Sequence, residues 1–133
     1  MGKVLGIDYG EKRIGLSISD EDRKVAFPYK IIDNKNKAFI LKSLLEIIKG
    51  ENITDIVIGI PLSFNFTDTD QTKITKSFFN FVKNKITGVN VYEENEILST
   101  KEAYNWNNKT KRVDDVAASL ILQSFLDKLN SSK

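Results

Sequence analysis

The sequence predicts an α/β domain in which a mixed five-stranded sheet is flanked by helices. The chain opens with short apolar runs that have the spacing of strands. Apolar runs further along alternate with segments of helical periodicity, as in αβ units that add parallel strands to a sheet. The length of 133 residues suits a single domain, 1–133, with one hydrophobic core.

The first third of the chain predicts three antiparallel strands. Residues 4–8 are mostly apolar and predict a buried strand, and residues 13–19 alternate apolar with small or polar side chains, which is the strand period of two. The connection at 9–12 suits a hairpin. Residues 25–32 predict a third strand, and Pro28 places it at an edge or a bulge because proline cannot donate a ladder hydrogen bond.

The middle of the chain predicts a helix, a buried strand and a second helix. The first helix has apolar residues at helical spacing, and Gly50 follows as a stop signal. Residues 55–60 are almost entirely apolar, as in a buried parallel strand, and Pro61 is expected to end it. The second helix has apolar residues from Ile74 to Val82 and is expected to end near Gly88.

The last third predicts a short strand and two helices. Residues 89–92 are the strand. Ser99 and Glu102 have the spacing of a capping box, which indicates a short helix, and Asp114 or Asp115 opens the final helix. The predicted order is therefore β-β-β-α-β-α-β-α-α. Parallel strands in such sheets have ligand sites at their carboxyl ends.

The amino-acid composition limits which catalytic and metal-binding groups the chain can have. The chain has no cysteine and no histidine, which excludes disulfides, thiolate metal sites, the usual zinc sites and a Ser-His-Asp triad. No run approaches the ~18 apolar residues of a membrane span, and early charges argue against a signal peptide. We therefore expect a cytoplasmic protein without a membrane partner.

Charge is unevenly distributed, although the net charge is only +2. Residues 101–112 contain four basic residues, one acid and Trp106, and residues 93–96 contain three glutamates and no base. A basic loop with an aromatic residue, beside an acidic cluster, suits a polyanion held near a metal ion. A solvated surface loop is the alternative interpretation, because charge runs usually face solvent.

Three acids are candidate metal ligands: Asp8 at the end of the first strand, Glu96 after the last strand, and Asp114 at the head of the final helix. They converge if the first strand and the strand at 55–60 are neighbours. Mg²⁺ or Mn²⁺ prefers oxygen ligands, and two such ions activate water for phosphodiester hydrolysis without a histidine.

Each acid also has a structural interpretation. An Asx-turn accounts for Asp8 before a tyrosine and a glycine. Glu96 suits a solvent-facing loop, and Asp114 suits a helix cap, where an acid is favoured by both the cap and the macrodipole. Pattern alone leaves these alternatives open.

Four ordered blocks of the chain resemble the YqgF/RuvX family of pre-16S rRNA nucleases and Holliday-junction-resolvase-like proteins. The opening LGIDYGEKRIGLSISD resembles the family's G-x-D-x-G-x-x-R-x-G-x-A-x-S-D, with Ser17 in place of alanine. IVIGIPLS resembles its V-x-G-L-P block. ILSTKEA and KRVDDVAASLILQSFLD resemble the two blocks that end the family pattern.

The resemblance implies an RNase H-like fold and catalytic, metal-binding acids at Asp8, Glu96 and Asp114, with Mg²⁺ or Mn²⁺ as the cofactor. Two departures stand beside the glutamate: Asn95 and Ile97 replace the family's aspartate and arginine. The candidate phosphate-binding residues are basic ones near the family motifs: Arg13, Lys109, Lys111 and Arg112.

The resemblance implies a metal-dependent nuclease that acts in 5′-end maturation of pre-16S rRNA. Two alternatives remain: a Holliday junction resolvase acting on branched DNA, and a non-catalytic nucleic-acid-binding protein. A phosphotransferase of the actin or sugar-kinase type ranks last, because one domain provides only half of that nucleotide cleft. The expected partner is ribosomal precursor RNA or branched DNA, and the expected state is a monomer or a homodimer; junction resolution favours a two-fold dimer.

Overall fold

A computed structural model describes residues 2–62, 69–97 and 113–131 of the chain. The elements in chain order are β1 (Lys3–Tyr9), β2 (Arg13–Ser19), β3 (Ala26–Asp33), α1 (Lys37–Glu51), β4 (Ile53–Leu62), α2 (Asp70–Lys85), β5 (Asn90–Ile97) and α3 (Val113–Ser131). The predicted helix at Ser99 lies outside the described residues. No helix in these three ranges is long and apolar enough to cross a membrane.

The five strands form one mixed sheet in the order β3-β2-β1-β4-β5. β1 pairs antiparallel with β2, and β2 pairs antiparallel with β3. β4 pairs parallel with both β1 and β5. The predicted mixed five-stranded sheet is therefore confirmed. The adjacency of β1 and β4, on which convergence of the acids depends, is confirmed with it.

The third strand is at the sheet edge, as Pro28 predicted. Its register with β2 also shifts between Leu16 and Ser17, where Ser17 lies opposite Pro28. An edge position and a register irregularity both occur, because proline has no N–H to contribute to a regular ladder.

Two hydrophobic cores cover the two faces of the sheet. The larger core packs α1 and α2 against one face through residues that include Ile40, Leu44, Phe78 and Val82. The smaller core packs α3 against the other face, with Val4, Val57, Ile121, Leu122 and Leu126 as its buried members.

Helix α3 runs antiparallel to β1. Its middle contacts Gly6: a Cβ atom there would lie 2.8 Å from Leu122 Cβ and 3.1 Å from the Ala118 carbonyl oxygen. Its later part packs near Val4, the start of β1. The first turn of α3 therefore lies at the carboxyl end of β1.

Two predicted boundaries were wrong. Gly50 does not stop the first helix, which continues to Glu51; Asn52 ends it in the left-handed conformation with φ of 56°. Pro61 does not end β4, which continues to Leu62. The pairing of β1 with β4 stops at Ile58, so β1 does not need the N–H that Pro61 lacks.

The last strand is longer than predicted, and one apolar residue that indicated the second helix is exposed. β5 continues beyond Tyr92 to Ile97, held by parallel pairing with β4 up to Leu62. Its second half is rich in acids and lacks apolar alternation, so the sequence pattern did not reveal it. Ile74 in α2 is 52% exposed and is not one of the buried residues of the core.

Candidate active site

Asp8 lies one residue before the end of β1, opposite Gly15 of β2. It is partly buried and, by the strand period of two, shares a sheet face with Gly6, the face on which α3 packs. Gly10 closes the following turn so tightly that a Cβ atom would lie 2.3 Å from the Arg13 carbonyl oxygen. The glycine after the acid therefore allows the close return of the hairpin.

Glu96 lies inside β5, opposite Pro61 of β4, and not in a loop after the strand. Its side chain is partly buried. The prediction that it follows the last strand was wrong, and so was the alternative of a solvent-facing loop acid. Pairing with β4 extends β5 through the acidic segment and turns Glu96 onto the α3 face, together with Glu94.

Gly59 of β4 provides the space for the Glu96 carboxylate. A Cβ atom at Gly59 would lie 2.6 Å from Glu96 Oε1 and 2.4 Å from Ile121 Cδ1. The β1–β4 register pairs Ile7 with Ile58, and one residue further along both strands brings Asp8 beside Gly59. Asp8 and Glu96 therefore lie on either side of Gly59, which has no side chain to separate them.

The surroundings of Glu96 raise the pKa of its carboxyl group. Burial of the carboxyl group, followed by the charges of Asp8 and then Glu94, raises its pKa from the ordinary 4.5 to about 8. Desolvation and nearby like charges both disfavour a carboxylate anion. A bound cation would relieve both penalties, because it supplies an opposite charge and oxygen coordination.

Glu94 is the buried neighbour of this site. It is 4% exposed, and its Oε2 atom accepts hydrogen bonds from Ser124 Oγ at 2.7 Å and Lys128 Nζ at 2.7 Å. Both partners are on α3, so Glu94 fastens that helix to β5. Sequence analysis placed Glu94 in an acidic cluster but did not identify this structural role, because its partners are about 30 residues away.

A second contact holds α3 against the centre of the sheet. The Ser17 hydroxyl of β2 donates a hydrogen bond to the Ala118 carbonyl oxygen at 2.7 Å, and both residues are buried. The backbone of Asp114 lies one helical turn before Ala118, about 6 Å along the axis. The backbone of Asp114 is thus at the level of Asp8, while its side chain lies outside the described part of the structure.

The candidate phosphate-binding residues fall into two groups. Arg13 is exposed at the start of β2, on the edge of the sheet where β1 ends. Lys109, Lys111 and Arg112 lie outside the described residues. Within the described ranges no set of three acids is close enough to hold a metal ion, and of the predicted ligands only Asp8 and Glu96 have described side chains.

The mixed five-stranded sheet with helices on both faces is an RNase H-like fold. The chain superposes on Thermus thermophilus RuvC, solved with a Holliday junction substrate, with a TM-score of 0.57 at 15% identity, covering 97% of this chain and 96% of that chain. The fowlpox virus Holliday junction resolvase gives a TM-score of 0.57 at 14% identity and covers 95% and 99% of the two chains.

The chain belongs to the RuvX family. The family model described as "RuvX: Holliday junction resolvase" matches residues 2–128. A "Putative pre-16S rRNA nuclease" of Maridesulfovibrio salexigens is 39% identical over 132 residues, covering 93% of this chain and 97% of the relative. A relative of the same name from Rickettsia bellii is 35% identical over 135 residues, with coverage of 96% and 87%. The family resemblance found in the sequence is confirmed.

Proposed function

We propose that this protein is a divalent-metal-dependent nuclease that hydrolyses phosphodiester bonds in the cytoplasm, with Asp8, Glu96 and Asp114 as the catalytic acids. The observation that carries the proposal is the position of Glu96 across Gly59 from Asp8, where burial of its carboxyl group, and next the charge of Asp8, raise the pKa of Glu96 to about 8. Two carboxylates lie close together at the carboxyl ends of β1 and β5, on either side of β4, where a structural role gains nothing from their repulsion.

The residues present fit Mg²⁺ or Mn²⁺, because their side chains offer only carboxylate oxygens and the chain has no histidine or cysteine. Such an ion, when bound, activates water and stabilises charge on the phosphoryl group. Asp8 and Glu96 would hold it, and Asp114 completes the proposed ligand set. Hydrolysis adds the water oxygen to phosphorus and breaks the bond to the leaving ribose or deoxyribose oxygen, which takes up a proton.

The surrounding residues orient these acids. Gly59 leaves room for the Glu96 carboxylate, and Glu94 fixes β5 to α3 through Ser124 and Lys128. Arg13 lies on the same edge of the sheet, where its guanidinium suits a backbone phosphate. Lys109, Lys111 and Arg112 are proposed to add further phosphate contacts.

Ribosomal precursor RNA, cut during 5′-end maturation of pre-16S rRNA, is the favoured substrate because the curated relatives carry that name over nearly their full length. Branched DNA is the second candidate, favoured by the family description and by the resolvase structures. Cutting a junction symmetrically requires two active sites, so a homodimer accompanies that alternative and a monomer suits the first.

A cleavage assay with matched variants tests the proposal. Wild type, D8N and D22N are given a labelled rRNA precursor and a four-way DNA junction, each with Mg²⁺, Mn²⁺ or EDTA. Asp22 is an exposed acid in the turn between β2 and β3, at the opposite edge of the sheet from Asp8, so D22N makes the same change away from the site. We expect metal-dependent cleavage that D22N retains and D8N loses by at least ~100-fold.

The preferred substrate distinguishes RNA processing from junction resolution. Binding without cleavage in every metal would replace the nuclease with a nucleic-acid-binding protein. Equal cleavage by D8N and wild type would remove Asp8 from the catalytic site.

A further inference from the structure

Two loops at the active edge of the sheet are fastened together by one side chain. The Asn34 amide group donates a hydrogen bond to the Gly10 carbonyl oxygen at 2.8 Å. The Asn34 backbone N–H donates to the Lys12 carbonyl oxygen at 2.9 Å. The β1–β2 turn and the β3–α1 connection therefore form one unit, which begins two residues beyond Asp8, roughly 7 Å along an extended chain.

This unit and the first residue of α1 together carry three exposed lysines, Lys12, Lys35 and Lys37, here called the lysine rim. Two of them rest on aromatic rings: Lys35 Nζ is 5.0 Å from the centroid of Phe39, and Lys37 Nζ is 5.3 Å from that of Phe81. A cation over a ring face loses conformational freedom without losing its hydrogen-bond donors. The rim is therefore partly ordered before any ligand binds.

The electrostatic field around the rim favours an anion. None of the rim's three lysines forms an ion pair with a carboxylate in the described part of the chain. The first turn of α1 begins at Lys37, within the rim, and contains no acid, so no carboxylate there offsets the positive end of the helix dipole. With Arg13, the four cations outnumber the nearby acids Glu11 and Asp33.

We propose that the lysine rim binds backbone phosphates of the nucleic-acid strand on one side of the bond presented to Asp8 and Glu96. The inference rests on the proposed nuclease function, and it adds a phosphate-binding surface separate from residues 101–112. Ammonium groups recognise phosphates without reading bases, so the rim positions the strand and does not select its sequence. RNA and DNA share this chemistry, and the experiment includes both.

The test compares two triple variants with the same total charge. K12Q/K35Q/K37Q removes the rim, and K49Q/K83Q/K85Q removes three exposed lysines from the last turns of α1 and α2, at the opposite edge of the sheet. Binding to the labelled rRNA precursor and to the four-way junction is measured in EDTA across a salt series. Circular dichroism confirms that each variant is folded.

We expect the rim variant to bind roughly 10–100-fold more weakly at moderate salt, with the slope of log affinity against log salt reduced by about 2 for single strands and nearly 3 for duplex. The opposite-edge variant should stay within about 3-fold of wild type. In cleavage assays the rim variant should raise KM and leave kcat nearly unchanged, because the rim contacts only bound strand outside the reacting bond.

If both triple variants bind nucleic acid equally weakly, the effect comes from net charge and the rim has no special role. Unchanged binding by the rim variant would also overturn the proposal, and so would the absence of binding by wild type. The same experiments test the nuclease function separately from the rim. Salt-sensitive binding that depends on the rim, without cleavage, would keep the rim and reject the nuclease. Cleavage by wild type, together with an unchanged salt slope of binding in the rim variant, would keep the nuclease function and reject the rim.

Discussion

The carboxylate of Glu96 lies over the backbone of Gly59, with Oε1 only 2.6 Å from the position that a Cβ atom would occupy there. Any side chain at residue 59 would displace the acid or the neighbouring Ile121. The glycine in the middle of a buried strand, where glycine ordinarily weakens packing, is explained by the room that the Glu96 carboxylate requires.

Replacing this glycine should therefore damage the site more than the fold. We expect G59A to lower the free energy of unfolding by about 1–3 kcal/mol, since Ile121 and Glu96 can move their flexible ends, and to reduce cleavage by at least ~10-fold through displacement of Glu96. Urea denaturation and the metal-dependent cleavage assay measure the two effects.

The control is G50A. Gly50 is in helix α1, and an added Cβ there meets nothing within 4 Å. Alanine should raise stability by about 0.5–1 kcal/mol and leave cleavage unchanged. If G59A cleaves as well as G50A, Glu96 does not need its present position.

The raised pKa of Glu96 predicts an unusual dependence of stability on pH. Between about 4.5 and about 8 the folded protein binds more protons at this group than the unfolded chain does. The free energy of unfolding therefore falls as pH rises through that window and levels off above it. E96Q removes the titration, so in EDTA the variant should become more stable than wild type at pH 8, by up to about 5 kcal/mol.

Glu93 provides the matched control for this series. It neighbours Glu94 on β5 but points to the opposite face and is exposed. E93Q should follow the wild-type pH curve. Parallel curves for E96Q and wild type across the window would mean that Glu96 titrates normally and that the crowding with Asp8 is absent.

Divalent cations should stabilise the wild-type protein and weaken its pH dependence. An ion that binds only the folded state adds about 2.7 kcal/mol at 100 times its dissociation constant. Because the ion compensates the charges of Asp8 and Glu96, the loss of stability toward pH 8 should shrink. Thermal unfolding with Mg²⁺ or Mn²⁺, compared with EDTA, measures both effects.

D8N should lose most of this stabilisation, and D22N, which changes an exposed acid at the opposite edge of the sheet, should keep it. Equal increases in the melting temperature of both variants would place the ion somewhere other than the proposed site. This readout is independent of catalysis, so it separates failure to bind metal from failure to cut.

The contacts between Glu94 and α3 should contribute unequally to stability. Ser124 donates a hydrogen bond to a carboxylate that is 4% exposed, and S124A should cost about 1–2 kcal/mol. The Lys128 side chain is 68% exposed, so K128A should cost less than about 1 kcal/mol. Urea denaturation of the single and double variants measures both costs and their coupling. A larger cost for K128A than for S124A would show that the ion pair, and not the hydroxyl, holds the helix.

The sequence by itself determined the class of fold and singled out Asp8 as a candidate metal ligand. Strand and helix differ in their apolar periodicity, and this local signal predicted all five strands and the described helices. The acid at the end of β1, with Gly10 after it, depends on a turn of a few residues, so local chemistry was sufficient there. The family resemblance identified Glu96 through a short motif, although the predicted strand stopped before it.

Only the tertiary structure decided how Glu96 is held and what its environment does to it. β5 extends through an acidic segment because β4 offers it hydrogen-bond partners, which no local pattern in that segment indicates. Gly59 and Glu94 acquire their roles from residues far away in the chain, on β5 and α3 respectively. Burial and charge–charge repulsion depend on distances in space, so the raised pKa of Glu96 follows from the packed fold and not from the order of the residues.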